Sequence, residues 1–283
     1  MQKKLWVITG PTASGKTDFA IQKALELGCP ILSADSRQVY KELNIGVAKP
    51  TQAQLNTVQH FFINHISIQY DYNTGIYAKE CRHLINQLFS YYNNLIICGG
   101  TGLYLQAVIN GIDSQPQKND ELRAELNSII EKNGIGKLQE MLQTLSKEKY
   151  DNTEIQNPQR LIRAIEIEKS VSKETTELPD FAYSFAIEKV IIEKERTVLY
   201  DRINHRVDMM IAEGLEDEAK LFYDLRHLNA LQTVGYVEWW PYFEGTISKT
   251  EVIEKIKQHT RNYAKRQVTW IKNRGGLLKK FIN

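Results

Sequence analysis

The stretch WVITGPTASGKTDFA, residues 6–20, constrains the fold of this chain more than any other feature. Residues 10–17 match the pattern G-x-x-x-x-G-K-[ST], in which a glycine-rich backbone turns its N–H groups toward phosphate oxygens. An apolar, β-branched run at 5–9 precedes the pattern, and a helical pattern at 18–27 follows it. This strand–loop–helix context favours a phosphate-binding loop over a simple turn of glycine and serine.

The loop indicates how a phosphate would be held but not which compound carries it. Lys16 would add a cation beside the phosphate oxygens, and the Thr17 hydroxyl would be a ligand for Mg²⁺. Kinases, GTPases and other transferases all share this loop. The predicted phosphate-binding residues are Gly10, Pro11, Thr12, Ala13, Ser14, Gly15, Lys16 and Thr17.

The composition predicts a cytosolic protein with an ordinary hydrophobic core. The 283 residues, 42% of them hydrophobic, are enough for one large domain or for a main domain with a smaller insert. The three cysteines are far apart and show no C-x-x-C spacing, which indicates neither a zinc site nor a disulfide framework. No apolar run approaches the roughly 20 residues of a membrane span, and no signal-peptide core is visible. We therefore expect no membrane partner and a reducing, cytoplasmic location.

Positive charge is concentrated toward the end of the sequence. Residues 249–280 include ten basic and two acidic side chains, a net charge of +8, whereas the whole chain carries only +2. Such a segment is typical of a surface that binds a polyanion, although the solvated face of a helix can have the same composition. Both interpretations remain open on composition alone.

Strand and helix patterns alternate up to about residue 110. This order predicts an α/β fold with a P-loop NTPase-like parallel sheet flanked by helices. The predicted strands are 5–9, 30–34 and 95–98, and the predicted helices are 16–27, 77–91 and 102–110.

The pattern changes to a mostly helical one at about residue 112. Helices are predicted at 120–133, 136–146 and 158–167, and they are followed by a strand at 184–193 and helices at 196–213 and 249–273. We therefore predict a core formed by 1–111 and 184–283, and a helical insert domain formed by 112–183.

Two short segments should face the phosphate loop, because ligands bind at the carboxyl ends of the strands in a parallel sheet. Asp35 follows the second strand, where it could be a Mg²⁺ ligand, a general base or the cap of the next turn. Gly99, Gly100 and Thr101 follow the third strand. Small residues there allow either the close approach of a ligand or tight packing of strand against helix.

Five ordered motifs resemble those of the tRNA dimethylallyltransferase family, also called tRNA isopentenyltransferases: GPTASGKT, DSRQVYKELNIGVAKP, GGTGLYLQAV, NPQRLIRAIEI and TRNYAKRQVTW. The resemblance extends from about residue 5 to residue 271. It implies transfer of a dimethylallyl group from dimethylallyl diphosphate to the exocyclic amine of the adenosine immediately after the anticodon in tRNA. The loop would then hold diphosphate rather than ATP, with Mg²⁺ as the cofactor and the anticodon stem-loop as the partner. We expect a monomer.

The resemblance also assigns roles to residues outside the phosphate loop. Asp35 would accept the proton of the amine, Thr12 and Thr101 would lie close to the reacting groups, and Arg261 would reach the diphosphate. A base stacked within an RNA loop cannot reach a buried carbon, so the adenosine must be extruded into a channel. The implied tRNA-binding residues are Asp35, Ser36, Arg37, Gln38, Thr101, Arg123, Gln159, Arg160, Leu161, Ile162, Arg163, Lys265 and Arg266.

The final helix is predicted to have two faces. One is a basic stripe formed by Lys257, Arg261, Lys265, Val268 and Lys272. The other is a mostly apolar face that should pack on the parallel sheet, formed by Ile253, Ile256, Tyr263, Gln267 and Trp270.

One departure from the family pattern concerns a phosphate contact. Val237 follows VGY where members commonly have Arg or Lys, so one implied contact is missing.

Other functions stay open. An adenylate isopentenyltransferase would modify a free nucleotide and would need neither the insert nor the basic segment. A small-molecule kinase would use the loop and Asp35 but would leave GGTGLY, QRLIR and AKRQ unexplained. A non-enzymatic RNA-binding GTPase would need a guanine-reading motif, which we do not recognise.

Overall fold

The computed structural model describes residues 2–111, 116, 118–170 and 178–278 and is built around a five-stranded sheet. The strands are β1 (Lys3–Thr9), β2 (Ile31–Ser33), β3 (His60–Phe61), β4 (Asn94–Gly99) and β5 (Phe185–Ile191). All of them run parallel, in the order β3-β2-β4-β1-β5. The predicted α/β class with a parallel sheet is therefore confirmed.

The central strands are apolar on both faces, as parallel strands covered by helices must be. Leu5, Val7 and Ile8 of β1 are fully buried, and so is the run 95–97 of β4. Burial of each such side chain stabilises the fold by about 1.5–3 kcal/mol. Because Thr9 pairs with Gly99 at the ends of the two strands, the loops that follow β1 and β4 leave the sheet side by side.

Helices make up most of the rest of the described chain. They are α1 (Lys16–Leu27), α2 (Gln52–Thr57), α3 (Thr74–Leu88), α4 (Gly102–Asn110), α5 (Asp120–Asn133), α6 (Ile135–Leu145), α7 (Lys147–Asn152), α8 (Pro158–Lys169), α9 (Arg196–Ala212), α10 (Leu215–Leu221), α11 (Trp240–Phe243) and α12 (Lys249–Leu278). No helix among the described residues is both long and apolar enough to cross a membrane.

The described residues form two compact units. One comprises those up to Gly111 and from Pro179 onward, and the other comprises those in between. The predicted insert ended at 183, but the structure assigns residues 179–183 to the first unit. Arg82 donates from Nη1 to the Pro179 carbonyl oxygen at 3.3 Å, and Asn86 donates from Nδ2 to the Asp180 carbonyl oxygen at 2.8 Å.

The second unit has a hydrophobic core of its own. Its fully buried side chains come from α5, α6 and α8, and they include Leu126, Leu138, Leu142, Leu161 and Ile165. Their spacing within each helix follows the helical period, so each helix turns one apolar face toward the other two. The insert is therefore a helical unit with a separate core.

The final helix is longer than predicted and packs differently. α12 packs mainly against α9, α4 and the 3₁₀ turn Val237–Trp239, not on the face of the sheet as we predicted. Among residues 249–273 of this helix, the most buried are Val252, Ile256, Ala264, Gln267 and Ile271. Gln267 alone among them bonds to the ends of the strands, because its Nε2 donates to the Gly100 carbonyl oxygen at 2.9 Å.

Four short helices and the two-residue strand β3 were not predicted from the sequence. α2, α7, α10 and α11 have between four and seven residues, and β3 has two. Segments this short do not repeat an apolar pattern over several turns, so periodicity cannot detect them.

Tight packing explains the glycines of GGTGLY. A Cβ on Gly99 would lie 2.1 Å from the Ala34 carbonyl oxygen, and one on Gly100 would lie 2.3 Å from Gln267 Nε2. A Cβ on Gly102 would lie 2.3 Å from the Trp270 ring. The structure supports close packing of β4 and α4 against their neighbours, and Gly99 also lines a cavity at this edge of the sheet, so the approach of a ligand stays a prediction.

Replacing Gly99 by alanine should destabilise the core, because the Ala34 backbone cannot move away without separating β2 from β4. We expect Gly99→Ala to lower the free energy of unfolding by at least about 3 kcal/mol, the upper end of overpacking costs. Gly136→Ala is the control, since a Cβ at that helical position meets open space and should be neutral or slightly stabilising. Denaturant unfolding of both variants tests this, and equal stability of Gly99→Ala and the parent would contradict it.

Candidate active site

Two residues of the phosphate loop have a left-handed backbone. Gly15, the N-cap of α1, has a φ of 94°, and Ala13 has a φ of 63°. A left-handed alanine costs about 1–2 kcal/mol, so the surrounding structure must impose this conformation. Ser14 is buried, and its Oγ has no hydrogen-bond partner within the described part of the chain.

A cavity of about 960 Å³ opens where the loops after β1, β2 and β4 meet. Its wall includes Thr12, Ala13, Gly15, Lys16 and Thr17 of the phosphate loop, Asp35, Ser36, Arg37 and Gln38 after β2, Arg202 and Arg206 of α9, and Tyr263, Arg266 and Gln267 of α12. The predicted loop residues Gly10, Pro11 and Ser14 are not part of this wall. The cavity is large enough for a drug-sized or nucleotide-sized ligand.

Three cationic side chains converge on the phosphate loop. Lys16 donates from Nζ to the Pro11 carbonyl oxygen at 3.3 Å, and Arg206 donates from Nη1 to Thr12 Oγ1 at 3.3 Å. Arg202 Nη2 lies 3.7 Å from the position that a Cβ on Gly15 would take. The free N–H groups at the start of α1 add donors to the same place. This arrangement suits an anion with several oxygens.

The cations at the loop are held in unfavourable surroundings. Burial lowers the pKa of Lys16, and the neighbouring Arg206 adds to that effect, while Cys98 and Asp35 oppose it. Burial also lowers the pKa of Arg206, and the charge of Arg202 contributes. A bound anion would relieve this repulsion, so the site favours binding of negative charge.

Arg202 and Arg206 were not among the site residues predicted from the sequence. They lie on α9, far from the motifs, and only the packing of that helix brings them to the loop. Their spacing of four places both on one helical face, which is the signal that could have identified them.

Asp35 both caps a turn and lines the cavity. Its Oδ1 accepts hydrogen bonds from the backbone N–H groups of Arg37, at 2.9 Å, and Gln38, at 3.2 Å. The cap interpretation of this residue therefore holds. Because the carboxylate also lies in the cavity wall with Lys16, the cap does not exclude a chemical role.

Thr101 supports the cavity from behind its wall. Its Oγ1 accepts a hydrogen bond from the Ser36 backbone N–H at 3.0 Å. Thr101 also interacts with the Tyr263 hydroxyl, whose pKa is raised to about 12, mainly by burial. Thr101 itself is not among the residues of the wall. Thr101 therefore contacts two residues of the wall, Ser36 and Tyr263.

Gln267 connects the phosphate loop to β4 and α12. The Thr12 backbone N–H donates to Gln267 Oε1 at 2.8 Å, and Gln267 Nε2 donates to the Gly100 carbonyl oxygen. The Thr12 N–H is therefore already hydrogen-bonded within the protein. Thr12 also lines the cavity.

Arg37 and Gln38 brace the loops around the cavity. Arg37 donates from its guanidinium to the carbonyl oxygens of Asn229, at 2.7 Å, and Gln232, at 3.2 Å. Gln38 donates from Nε2 to the Ala48 carbonyl oxygen at 2.9 Å. Both were predicted to contact RNA, and in this structure their polar ends are occupied by backbone.

Comparison with known proteins identifies the family. The family model described as IPP transferase matches residues 38–274. The tRNA dimethylallyltransferase of Flavobacterium johnsoniae is 41% identical over 279 residues, which cover 95% of this chain and 90% of that protein. That of Cytophaga hutchinsonii is 39% identical over 273 residues with the same coverage.

The chain belongs to the IPP transferase family. Its fold agrees with that of a solved member, the tRNA isopentenylpyrophosphate transferase of Bacillus halodurans, with a TM-score of 0.69 and 34% identity. The match covers 96% of this chain and 88% of that one. As a member of this family, the chain is a transferase.

The basic residues of α12 divide into those at the cavity of this IPP transferase and those away from it. Arg266 lines the cavity, whereas Lys265 is exposed outside the wall. Arg261 was predicted to reach the diphosphate, but its Nη1 donates to Asn204 Oδ1 at 2.6 Å and it is not in the wall. Arg206, not Arg261, is the arginine that contacts the phosphate loop. Lys279 and Lys280 lie outside the described residues.

The insert of this family member has two arginines engaged on a buried carboxylate. Glu166 is almost fully buried; it accepts from Arg123 Nε and Nη2, both at 2.9 Å, and also from Arg163 Nη1. Burial opposes ionisation of Glu166, but hydrogen bonds from Arg123, the Asn119 backbone and Arg163 outweigh it and lower the pKa to about 2. Arg123 and Arg163 therefore hold the insert together.

The other residues predicted to contact RNA from the insert differ in exposure. Leu161 and Ile162 are buried in the core of the insert, so they cannot contact RNA directly, and that prediction is wrong. Gln159 is exposed, and Arg160 is 65% exposed and pairs with Glu154. Gln159 and Arg160 are the most exposed members of QRLIR.

The Glu166 cluster predicts how the insert responds to mutation and to pH. Glu166→Gln should destabilise the insert by about 3–5 kcal/mol, because it leaves two guanidinium groups without a buried counter-charge. The pKa of Glu166 is lower in the folded state, so its stabilising contribution is full above about 4.5 and is lost as the pH falls toward 2.

Thermal unfolding between pH 7 and pH 2 tests this prediction. The exposed Glu125 of α5 is the matched control, and Glu125→Gln should change stability by less than about 0.5 kcal/mol. If Glu166→Gln unfolds at the parent's temperature at pH 7, the cluster does not stabilise the insert.

Proposed function

We propose that this chain transfers a dimethylallyl group from dimethylallyl diphosphate to the exocyclic amine of the adenosine immediately after the anticodon in tRNA. One observation carries the proposal: Asp35 lines the same cavity as a phosphate loop surrounded by Lys16, Arg202 and Arg206. The relatives named as tRNA dimethylallyltransferases support this choice of the two substrates.

The cationic end of the cavity is the site of the leaving diphosphate. The allylic C–O bond breaks, and negative charge develops on the departing oxygens. Lys16 and Arg206, which are both hydrogen-bonded to the loop, would act where that charge appears, together with Arg202 and the N–H groups at the start of α1. Preorganised donors stabilise a transition state without reorganising. Val237 lines the cavity where members commonly have a basic residue, and the arginines of α9 supply positive charge in its place.

The residues at this end also suit Mg²⁺ bound through the substrate. No group of three or more His, Cys, Asp or Glu side chains that could hold a metal occurs among the described residues. Mg²⁺ commonly binds through one or two protein oxygens together with phosphate oxygens. Thr17 in the wall would be such a ligand, and the ion would offset charge on the diphosphate.

The proton of the acceptor amine goes to Asp35. As the new C–N bond forms, the amine nitrogen becomes positively charged and its proton becomes acidic, so a nearby carboxylate can accept it. Both backbone hydrogen bonds to Asp35 use Oδ1, which leaves Oδ2 for the proton. The Thr12 hydroxyl, which accepts a hydrogen bond from Arg206, would lie close to the reacting groups.

The acceptor base must leave its stack to reach this carboxylate. Enzymes that modify a base extrude it into a pocket, which accounts for a cavity much larger than the diphosphate needs. Ser36 and Gln38 beside Asp35 form the floor for the adenine. Arg266 at the cavity, and Lys265 and Arg160 on exposed surfaces, would neutralise RNA phosphates. Monomeric state and cytosolic location stay predictions.

Two substitutions separate proton transfer from diphosphate binding. Asp35→Ala should leave the affinity for dimethylallyl diphosphate within a few fold but slow single-turnover transfer roughly 100- to 10,000-fold, as expected for loss of a general base. Lys16→Ala should weaken that affinity by about tenfold or more and also slow the reaction, because its charge acts before and during bond cleavage.

Single-turnover rates at saturating tRNA, with diphosphate-substrate binding by calorimetry, test both variants. Lys23→Ala is the control for Lys16, since Lys23 lies on the same helix and pairs with Glu26 outside the cavity wall. A loss smaller than tenfold in Asp35→Ala would remove Asp35 from the mechanism.

Arg160 is the residue of the insert whose role in RNA binding can be tested cleanly. If Arg160 contacts a phosphate, Arg160→Ala should raise the tRNA KM, leave dimethylallyl diphosphate binding unchanged and flatten the log–log salt dependence of RNA affinity by about 0.7–0.9. Arg163→Ala should instead destabilise the insert, because Arg163 pairs with buried Glu166.

Lys137→Ala provides the control, because Lys137 is an exposed cation of the insert that pairs with Glu140 and was not predicted to bind RNA. Unchanged RNA affinity of Arg160→Ala at every salt concentration would mean that Arg160 does not contact RNA.

A further inference from the structure

A single carboxylate on α10 holds three consecutive backbone N–H groups of the loop 44–49. Glu218 Oε2 accepts from the N–H groups of Asn44, at 3.2 Å, and Ile45, at 2.9 Å. Glu218 Oε1 accepts from the Gly46 N–H, at 2.9 Å, and from the Tyr236 hydroxyl, at 2.6 Å. Hydrogen bonds to a charged acceptor are stronger than neutral ones, so this carboxylate fixes the conformation of the loop.

The loop needs such a clamp because its backbone is strained and tightly packed. Ala48 has a φ of 49°, a conformation that side chains other than glycine rarely adopt. A Cβ on Gly46 would lie 2.6 Å from the Tyr236 ring. Lys49 closes the other end, where its Nζ donates to the Tyr40 carbonyl oxygen at 2.6 Å and to Asn64 Oδ1 at 2.5 Å.

The clamped loop in turn holds Gln38 next to the predicted base. Gln38 Nε2 donates to the carbonyl oxygens of Val47, at 3.3 Å, and Ala48, at 2.9 Å. The Gln38 backbone N–H donates to Asp35 Oδ1. A continuous series of hydrogen bonds and covalent links therefore runs from Glu218 through the loop to Asp35.

We propose that Glu218 is a positioning residue for the acceptor side of the reaction, acting through the loop 44–49 on Gln38. In its catalytic part this inference rests on the proposed function. None of the contacts in the series involves the phosphate loop. Loss of the clamp should therefore disturb placement of the adenine amine against Asp35 without disturbing the diphosphate.

Glu218→Gln is the test, because its NH₂ group would face the N–H donors of the loop and could not replace a carboxylate oxygen. Single-turnover transfer at saturating tRNA should fall roughly 10- to 100-fold, the range expected when a reacting group is displaced by about 1 Å. Affinity for dimethylallyl diphosphate should stay within about twofold of the parent. Asp217→Asn is the matched control, since Asp217 is exposed in the same turn of α10 and should leave both quantities unchanged.

A double-mutant cycle separates positioning through Gln38 from a general loss of structure. In a Gln38→Ala background, Glu218→Gln should change the transfer rate by less than about threefold, because the contact through which it acts is already gone. Fully additive effects would overturn the inference. If Glu218→Gln does not fold, Tyr236→Phe removes one hydrogen bond to Oε1 and should give a smaller effect in the same direction.

Hydrogen exchange tests the clamp independently of the reaction. The amides of Asn44, Ile45 and Gly46 should exchange faster in Glu218→Gln than in the parent or in Asp217→Asn. Equal exchange would refute the clamp whatever the enzyme catalyses. Faster exchange with an unchanged transfer rate would refute the positioning role. A parent that transfers no dimethylallyl group at all would instead refute the proposed function, and that result appears before any variant is made.

Discussion

The concentration of positive charge at the phosphate loop is the constraint on which the rest of the site depends. Lys16, Arg202 and Arg206 lie around a loop whose N–H groups add further positive potential, and burial lowers the pKa of Lys16 and of Arg206. Such a group of cations is unfavourable without an anion, and three parts of the fold bring it together. The parallel sheet anchors the loop, α9 supplies the arginines, and Gln267 of α12 connects the loop to the end of β4.

The acceptor side of the cavity is held together by hydrogen bonds to backbone groups, and it has no comparable cluster of cations among the residues described above. Here a carboxylate, Asp35, closes a turn of backbone, and the loops around it are held by side chains that donate to carbonyl oxygens. Arg37 binds the segment around Asn229, and Gln38 binds the loop 44–49. Strong electrostatics at one end and a braced, mostly neutral wall at the other suit a reaction in which a diphosphate leaves and an amine arrives.

Features determined by residues close together in the sequence could be predicted, and features determined by tertiary packing could not. The strand, loop and helix at 5–27 were predictable because glycine positions, apolar runs and helical periodicity all act over a few residues. The positions of Arg202 and Arg206 at the loop were not predictable, because only the packing of α9 brings them there. Arg163 was interpreted as an RNA contact, although Glu166 three residues later is a possible partner on the same face. Leu161 and Ile162 were predicted to bind RNA because they belong to the motif. Their apolar side chains are instead typical of a hydrophobic core.

The most direct measurement of the central claim uses the purified chain with labelled dimethylallyl diphosphate. It is offered tRNA or AMP as acceptor, and in a parallel reaction labelled ATP replaces the prenyl donor. The account predicts label on the adenosine immediately after the anticodon in tRNA, no label on AMP and no phosphoryl transfer from ATP. Label on AMP, or phosphoryl transfer from ATP without any prenyl transfer, would contradict it.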